Sequence, residues 1–201
     1  MDKLRWIWSY VNYFRTLLLY FLISSCKYKI EAKEDINVWV LKLIIPEKQN
    51  KNIIIKLGYC IKCEKAFINV LQNRLHKNPA MYCISRLLFR PLESLYINMP
   101  PENIGGGLYF QHGFSTVVAA RKIGKNCVIN QQVTIGYNGE YAPVIGDNVV
   151  VAAGAIVIGN VCVGNNSIIA AGAVVTKNVN EGETVAGVPA RVIRTGDNDN
   201  L

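Results

Sequence analysis

Residues 145–175, IGDNVVVAAGAIVIGNVCVGNNSIIAAGAVV, carry a large aliphatic at every sixth position: Ile145, Val151, Val157, Val163, Ile169 and Val175. An earlier run, Ile123, Ile129 and Ile135, keeps the same spacing. A smaller residue often falls four places later, at Cys127, Val133, Val149, Ala155, Val161, Ser167 and Ala173. A period of six fits neither a 3.6-residue helix nor a two-residue strand alternation. It fits a short flat strand followed by a tight turn, repeated, with each aliphatic pointing inward onto its equivalents in neighbouring coils. Gly124, Gly136, Gly146 and Gly164 follow the aliphatic directly, where turns need left-handed backbone or close approach. The pattern predicts a β-solenoid rather than ordinary antiparallel β-structure.

From Ile135 to Ile145 the spacing is ten, four more than one repeat. The excess, near Tyr137-Asn138-Gly139-Glu140-Tyr141, is predicted to bulge outward as a loop, and such insertions in solenoids collect at the working face. Stacked coils leave prism faces exposed, which invites self-association.

Upstream of residue 104 the texture differs. The chain has 201 residues, 51% of them apolar, so global disorder is excluded. Its formal charge of +8 is uneven: residues 1–100 balance at +9 and residues 101–201 at −1. A neutral repeat half argues against a groove that tracks nucleic acid. The division predicts a helical N-terminal region over 1–96, a β-helix domain over 97–195 and a polar tail over 196–201.

Residues 4–25 form the most hydrophobic stretch, but the uninterrupted apolar run, Leu17 to Ile23, is too short to span a bilayer. Ser9, Asn12 and Thr16 recur on one helical face; Ile7, Val11, Phe14, Leu18 and Phe21 recur on another. Three readings stay open: packing on its own domain or a trimer partner, contact with a membrane interface through Trp6, Trp8 and nearby basic residues, or an export signal with Lys3 and Arg5 in front and a loose lipoprotein-like site at Cys26. Export is the weakest, because Arg15 interrupts the apolar core. Residues 58–76 and 80–96 read as two helices separated by His76-Lys77-Asn78-Pro79, and Pro46 opens a polar loop. Arg74, Arg86 and Arg90 are read as solvated, and His76 as a surface residue. Six cysteines form no disulfide framework; Cys60 and Cys63 read as two thiols on one face of a helix.

Several stretches carry a resemblance: the repeats, His112 in Gly-Leu-Tyr-Phe-Gln-His-Gly, Val133-Thr134-Ile135-Gly136, Ile158-Gly159-Asn160, and Ala186-Gly187-Val188-Pro189-Ala190-Arg191. Over roughly residues 97–195 the chain resembles the hexapeptide-repeat acyltransferase superfamily, in its serine acetyltransferase-like branch, which includes polysaccharide and capsule O-acetyltransferases. The resemblance implies a left-handed parallel β-helix, an exception to the right-handed crossover preference. It implies a homotrimer with sites between neighbouring β-helices, acetyl-CoA as cosubstrate without a tightly bound cofactor, and a cytoplasmic enzyme, here with membrane contact at the inner face as one reading of 4–25.

His112 matches the family's catalytic histidine, and imidazole readily exchanges a proton near neutral pH. It is the candidate general base. Gly136, Ala153 and Ala171 fall where the family lines its coenzyme channel, and Arg191 and Arg194 are candidates for the coenzyme phosphates. Tyr137, Glu140 and Tyr141 are candidates for the acceptor. Two departures matter. Ile97 stands where serine acetyltransferases carry an aspartate, fifteen residues before the histidine, and Ala142 replaces a second histidine before Pro143. Both positions belong to the amino-acid acceptor site, so the departures favour another hydroxyl, such as a sugar. They also leave His112 without its usual carboxylate; Glu140 or an acid of another subunit is the expected substitute. No metal is expected, since a γ-type carbonic anhydrase needs three zinc histidines and the repeat half has one. The alternatives are serine O-acetylation and an inactive trimeric scaffold.

Overall fold

The structure, a computed structural model, describes residues 2–43 and 49–196. The Pro46 loop, the side chains of Lys3, Arg5, Trp6 and Trp8, and the tail from 197 onward lie outside the described residues. Among the described residues five α-helices precede the strands: α1(Asp2–Ser25), α2(Lys29–Lys42), α3(Ile53–Cys63), α4(Ala66–Leu75) and α5(Pro79–Leu88). A parallel β-solenoid follows, with three faces. Face 1 stacks β1(Leu95–Ile97), β3(Thr116–Val118), β6(Thr134–Gly136), β9(Ile156–Ile158) and β12(Val174–Val175). Face 2 stacks β4(Lys122–Ile123), β7(Val144–Ile145) and β10(Cys162–Val163). Face 3 stacks β2(Tyr109–Gln111), β5(Val128–Asn130), β8(Val150–Val151), β11(Ile168–Ile169) and β13(Thr184–Ala186), closed by the antiparallel β14(Arg191–Arg194).

The nine aliphatics of the six-residue series are all at most 3% exposed. They form three inward stacks, because every third repeat returns to the same face. Val118, Ile135, Val157 and Val175 line face 1; Ile123, Ile145 and Val163 line face 2; Ile129, Val151 and Ile169 line face 3. Each buried side chain of this size contributes about 1.5–3 kcal/mol. The stacks also run upstream of the sequence pattern: Phe110 heads face 3 above Ile129, and Ile97 heads face 1 above Val118.

Close approach explains Gly124, Gly146 and Gly164 but not Gly136, where a Cβ would meet nothing nearer than the Thr134 methyl at 3.9 Å. A Cβ on Gly124 would lie 2.5 Å from the backbone of Gly146, and one on Gly146 would lie 3.0 Å from that of Gly164. At the same corner Asn126, Asn148 and Asn166 take left-handed backbone. Their amides bond along the prism axis, Asn126 to Asn148, Asn148 to Asn166, and Asn166 to Glu181.

The helices cap the open end of the solenoid. Trp39 of α2 packs on Phe67 and Tyr109 and donates its indole N–H to the Leu108 carbonyl at 2.7 Å. Beside it, Arg74 and Asp35 form an ion pair at 2.9 Å, 1% and 0% exposed. Asp35 also accepts from the backbone N–H groups of Gly107 and Leu108, and Arg74 donates to the carbonyls of Ile104 and Gly105. The solvated reading of Arg74 is therefore wrong. Its guanidinium is the bolt between helices and first coil, and its fork geometry suits that role.

Three other expectations change. The helix expected over 58–76 breaks at Glu64 and Lys65, and the one over 80–96 stops at Leu88, where the backbone turns extended at Phe89 and then enters β1. In α1 neither face packs as one unit: Asn12 is exposed and Leu18 half-buried. Thr16 is buried, its methyl meeting the packing space of Gly58, while Val11, Phe14 and Phe21 are exposed. Leu19 and Ile23 supply the true inward face. Cys60 and Cys63 differ in environment: Cys60 is buried and Cys63 exposed. Burial, then the neighbouring Cys63, push the Cys60 thiol up to about 12. Only thiolates are nucleophilic, so brief iodoacetamide treatment of the native protein is expected to label Cys63 and spare Cys60. Peptide mass spectrometry reads the ratio, and equal labelling would contradict this packing.

Candidate functional site

His112 follows the last residue of β2 and turns the chain from face 3 to face 1. His112 and Gly113 both take left-handed backbone, each with φ 65°. Ser115, Asn126, Gln132, Asn148 and Asn166 share this conformation, which belongs to the tight corners of the coils. The surroundings hold the histidine turn in place. A Cβ on Gly113 would lie 3.0 Å from the Ala66 Cβ at the start of α4. The histidine corner is thus pressed against the junction of α3 and α4, and the imidazole, 56% exposed, projects beside it. There Glu64, the residue that ends α3, places Oε1 3.8 Å from His112 Nδ1.

The other predicted residues divide between two corners. Ala153 and Ala171 lie on the histidine corner, two and three coils below His112, in the turns between faces 3 and 1. Gly154 and Gly172 beside them have left-handed backbone and open space where a Cβ would stand. Gly136, Tyr137, Glu140 and Tyr141 lie on the loop corner, between faces 1 and 2. Tyr137 and Tyr141 are exposed, and Asn138 and Tyr141 exchange backbone hydrogen bonds that close the bulge. Within one chain the width of face 1 separates Glu140 from His112. Arg191 and Arg194 lie on β14 at the far end of face 3, both exposed.

The loop corner holds a cleft of about 240 Å³. Tyr137, Glu140, Tyr141 and Ala142 line it from the bulge, and Arg121 and Asn98 line it from above. Arg121 carried no sequence signal beyond its charge. Ile97 heads an inward stack, which accounts for an aliphatic at that position. Ala142 is buried beneath the bulge. Among the described residues no cluster of three or more His, Cys, Asp or Glu side chains could hold a metal.

Comparison with known proteins agrees with this architecture. The family described as bacterial transferase hexapeptide (six repeats) matches residues 142–177. A serine acetyltransferase of Helicobacter pylori is 37% identical over 131 residues, covering 61% of this chain and 75% of that protein. One from Staphylococcus xylosus is 39% identical over 100 residues, covering 47% of this chain and 46% of that protein. The chain thus spans about half the length of the staphylococcal relative. The crystal structure of a Brucella abortus serine acetyltransferase superposes with a TM-score of 0.60 at 26% identity, covering 86% of this chain and 72% of that one.

Proposed function

Because the chain belongs to the serine acetyltransferase family of hexapeptide-repeat acyltransferases, we propose that it transfers an acetyl group from acetyl-CoA to a hydroxyl. The observation that carries this is His112, matching the family's base, held half-exposed on a tight left-handed turn, with Gln131 in the coil beneath it and the small Ala153 and Ala171 in the next two. In the reaction the imidazole takes the acceptor's O–H proton as its oxygen bonds to the acetyl carbon. The C–S bond then breaks and the imidazolium returns the proton to the coenzyme thiolate.

The two corners support a shared site. Face 1 lies between them and carries Val117, Thr134, Ile156 and Val174 outward, as its register and their partial exposure indicate. In a closed threefold ring with face 1 toward the axis, the histidine corner of one chain meets the loop corner of the next. Ala153 and Ala171 then face Gly136 across a channel for the pantetheine arm, with Arg191 and Arg194 at its phosphate end.

The named relatives put L-serine first among acceptors. A second reading, a saccharide hydroxyl, is favoured by Ile97 and Ala142, which leave an amino acid's charged groups unmatched; unpaired charge in a partly enclosed site is costly. Tyr137 and Tyr141 offer rings to a sugar face. Among the described residues no helix is long and apolar enough to cross a membrane. The exposed Tyr10, Tyr13, Phe14 and Phe21 of α1 support contact with the inner membrane surface, where lipid-linked glycans are built.

The test is thiol release from acetyl-CoA by the purified chain, with L-serine and a panel of saccharides as acceptors. Acceptor-dependent release is expected. A serine KM within about 1 μM to 1 mM establishes the first reading, and saturation by a saccharide but not by serine establishes the second. Release with neither, from a protein that sediments as a trimer, would leave a scaffold. A monomer at micromolar concentration would remove the shared site.

A further inference from the structure

We infer that Glu64 is a positioning residue for His112, so that the helical cap completes the catalytic centre of its own chain; this rests on the acetyl-transfer reading above. The departures at Ile97 and Ala142 remove the side chains that flank the family's base, and within one chain Glu140 lies on the other corner, where the ring proposed above turns it toward a neighbour's histidine rather than its own. The geometry supplies a carboxylate from elsewhere. Glu64 caps the end of α3, its own N–H bonded to the Cys60 carbonyl, which fixes its backbone. Two residues on, Ala66 touches the space of Gly113, so the α3–α4 junction and the histidine turn are in register.

The Glu64 carboxylate, 25% exposed, faces Nδ1 of the imidazole. At 3.8 Å the pair is beyond hydrogen-bond length. Catalytic contacts are often long in unliganded structures and tighten when substrate binds. A carboxylate at Nδ1 keeps the proton on that nitrogen and leaves Nε2 free to accept the acceptor's proton. The Glu64 charge is also felt by Tyr109, whose phenol is pushed up by burial first and by Glu64 second.

The chain has two histidines, His76 and His112, so nitrogen-15 NMR of the imidazoles is simple to assign, with His112→Asn marking the second signal. In the full-length protein His112 is expected to show mainly the Nδ1–H tautomer. Glu64→Ala is expected to mix the tautomers and to lower kcat by about tenfold or more, part of the 10²–10⁴ that a general base contributes, with the acceptor KM within about twofold. Glu64→Asp is expected to restore part of both. An unchanged tautomer in Glu64→Ala overturns the inference, as does a loss confined to acceptor KM, which would make Glu64 a binding residue. If no acceptor is ever acetylated, the functional reading fails, while the tautomer measurement still decides whether Glu64 orients His112.

Discussion

His112→Ala is expected to lower acetyl transfer by at least about a hundredfold, the lower range for loss of a general base. Folding is expected to survive, for two reasons. The imidazole is more exposed than buried, so no core is lost. The left-handed backbone at φ 65° is imposed by the turn and by Ala66 behind Gly113, and alanine meets much the same strain there as histidine. His112→Asn serves as a second variant, since asparagine tolerates that backbone best among non-glycine residues. Steady-state thiol release with the preferred acceptor gives the rate, and circular dichroism confirms the fold. A folded variant that retains activity would remove His112 from the mechanism.

The second large effect concerns the cap. Arg74→Ala is expected to destabilise the protein by about 3–5 kcal/mol, because it leaves Asp35 as an unpaired buried charge and the Ile104 and Gly105 carbonyls without their donor. That is a large fraction of the roughly 5–15 kcal/mol that holds a typical domain together. Asp35→Ala is expected to cost a similar amount, since it strands the guanidinium and the N–H groups of Gly107 and Leu108. Urea titration monitored by Trp fluorescence measures both, and the double variant closes the cycle. The double variant should lose less than the sum, as the two changes remove one shared ion pair. A loss under about 1 kcal/mol in either single variant would mean that the pair contributes little beyond its packing.

How far the residues alone lead differs between the two halves. The solenoid was legible because its aliphatics obey one local rule, and burial of all nine follows from it. The cap was less so. Arg74 on a predicted helix looks like any solvated arginine, since nothing local reveals that Asp35, 39 residues earlier, closes on it. Which side of α1 is covered was not legible for a similar reason: both sides carry apolar residues, and the outcome depends on α3, where Gly58 makes room for Thr16. Within the candidate site, His112 stood out through its motif. Its neighbour Glu64 did not, because the two are brought together by a helix break that the periodicity ran straight through. The assignment of residues to corners also needed the structure, since a six-residue period does not say which repeats share an edge.

The same contrast between local and distant contacts governs how the chain reaches this state. Register partners in the solenoid lie 16 to 22 residues apart, as in Ile169 with Val185 and Ile129 with Val151, so each coil closes a short loop on the one before. Such repeats can zip from any starting coil. The bolt between cap and solenoid spans 72 residues from Asp35 to Gly107, and its loop-closure entropy must be met before any contact rewards it. During synthesis the helices leave the ribosome before the solenoid, so Trp39, Phe67 and the Asp35–Arg74 pair lack their first-coil partners until Gly107 and Leu108 emerge. The early chain is therefore the stage most open to aggregation and chaperone capture, and its rescue depends on the first coil rather than on the longer stack that follows.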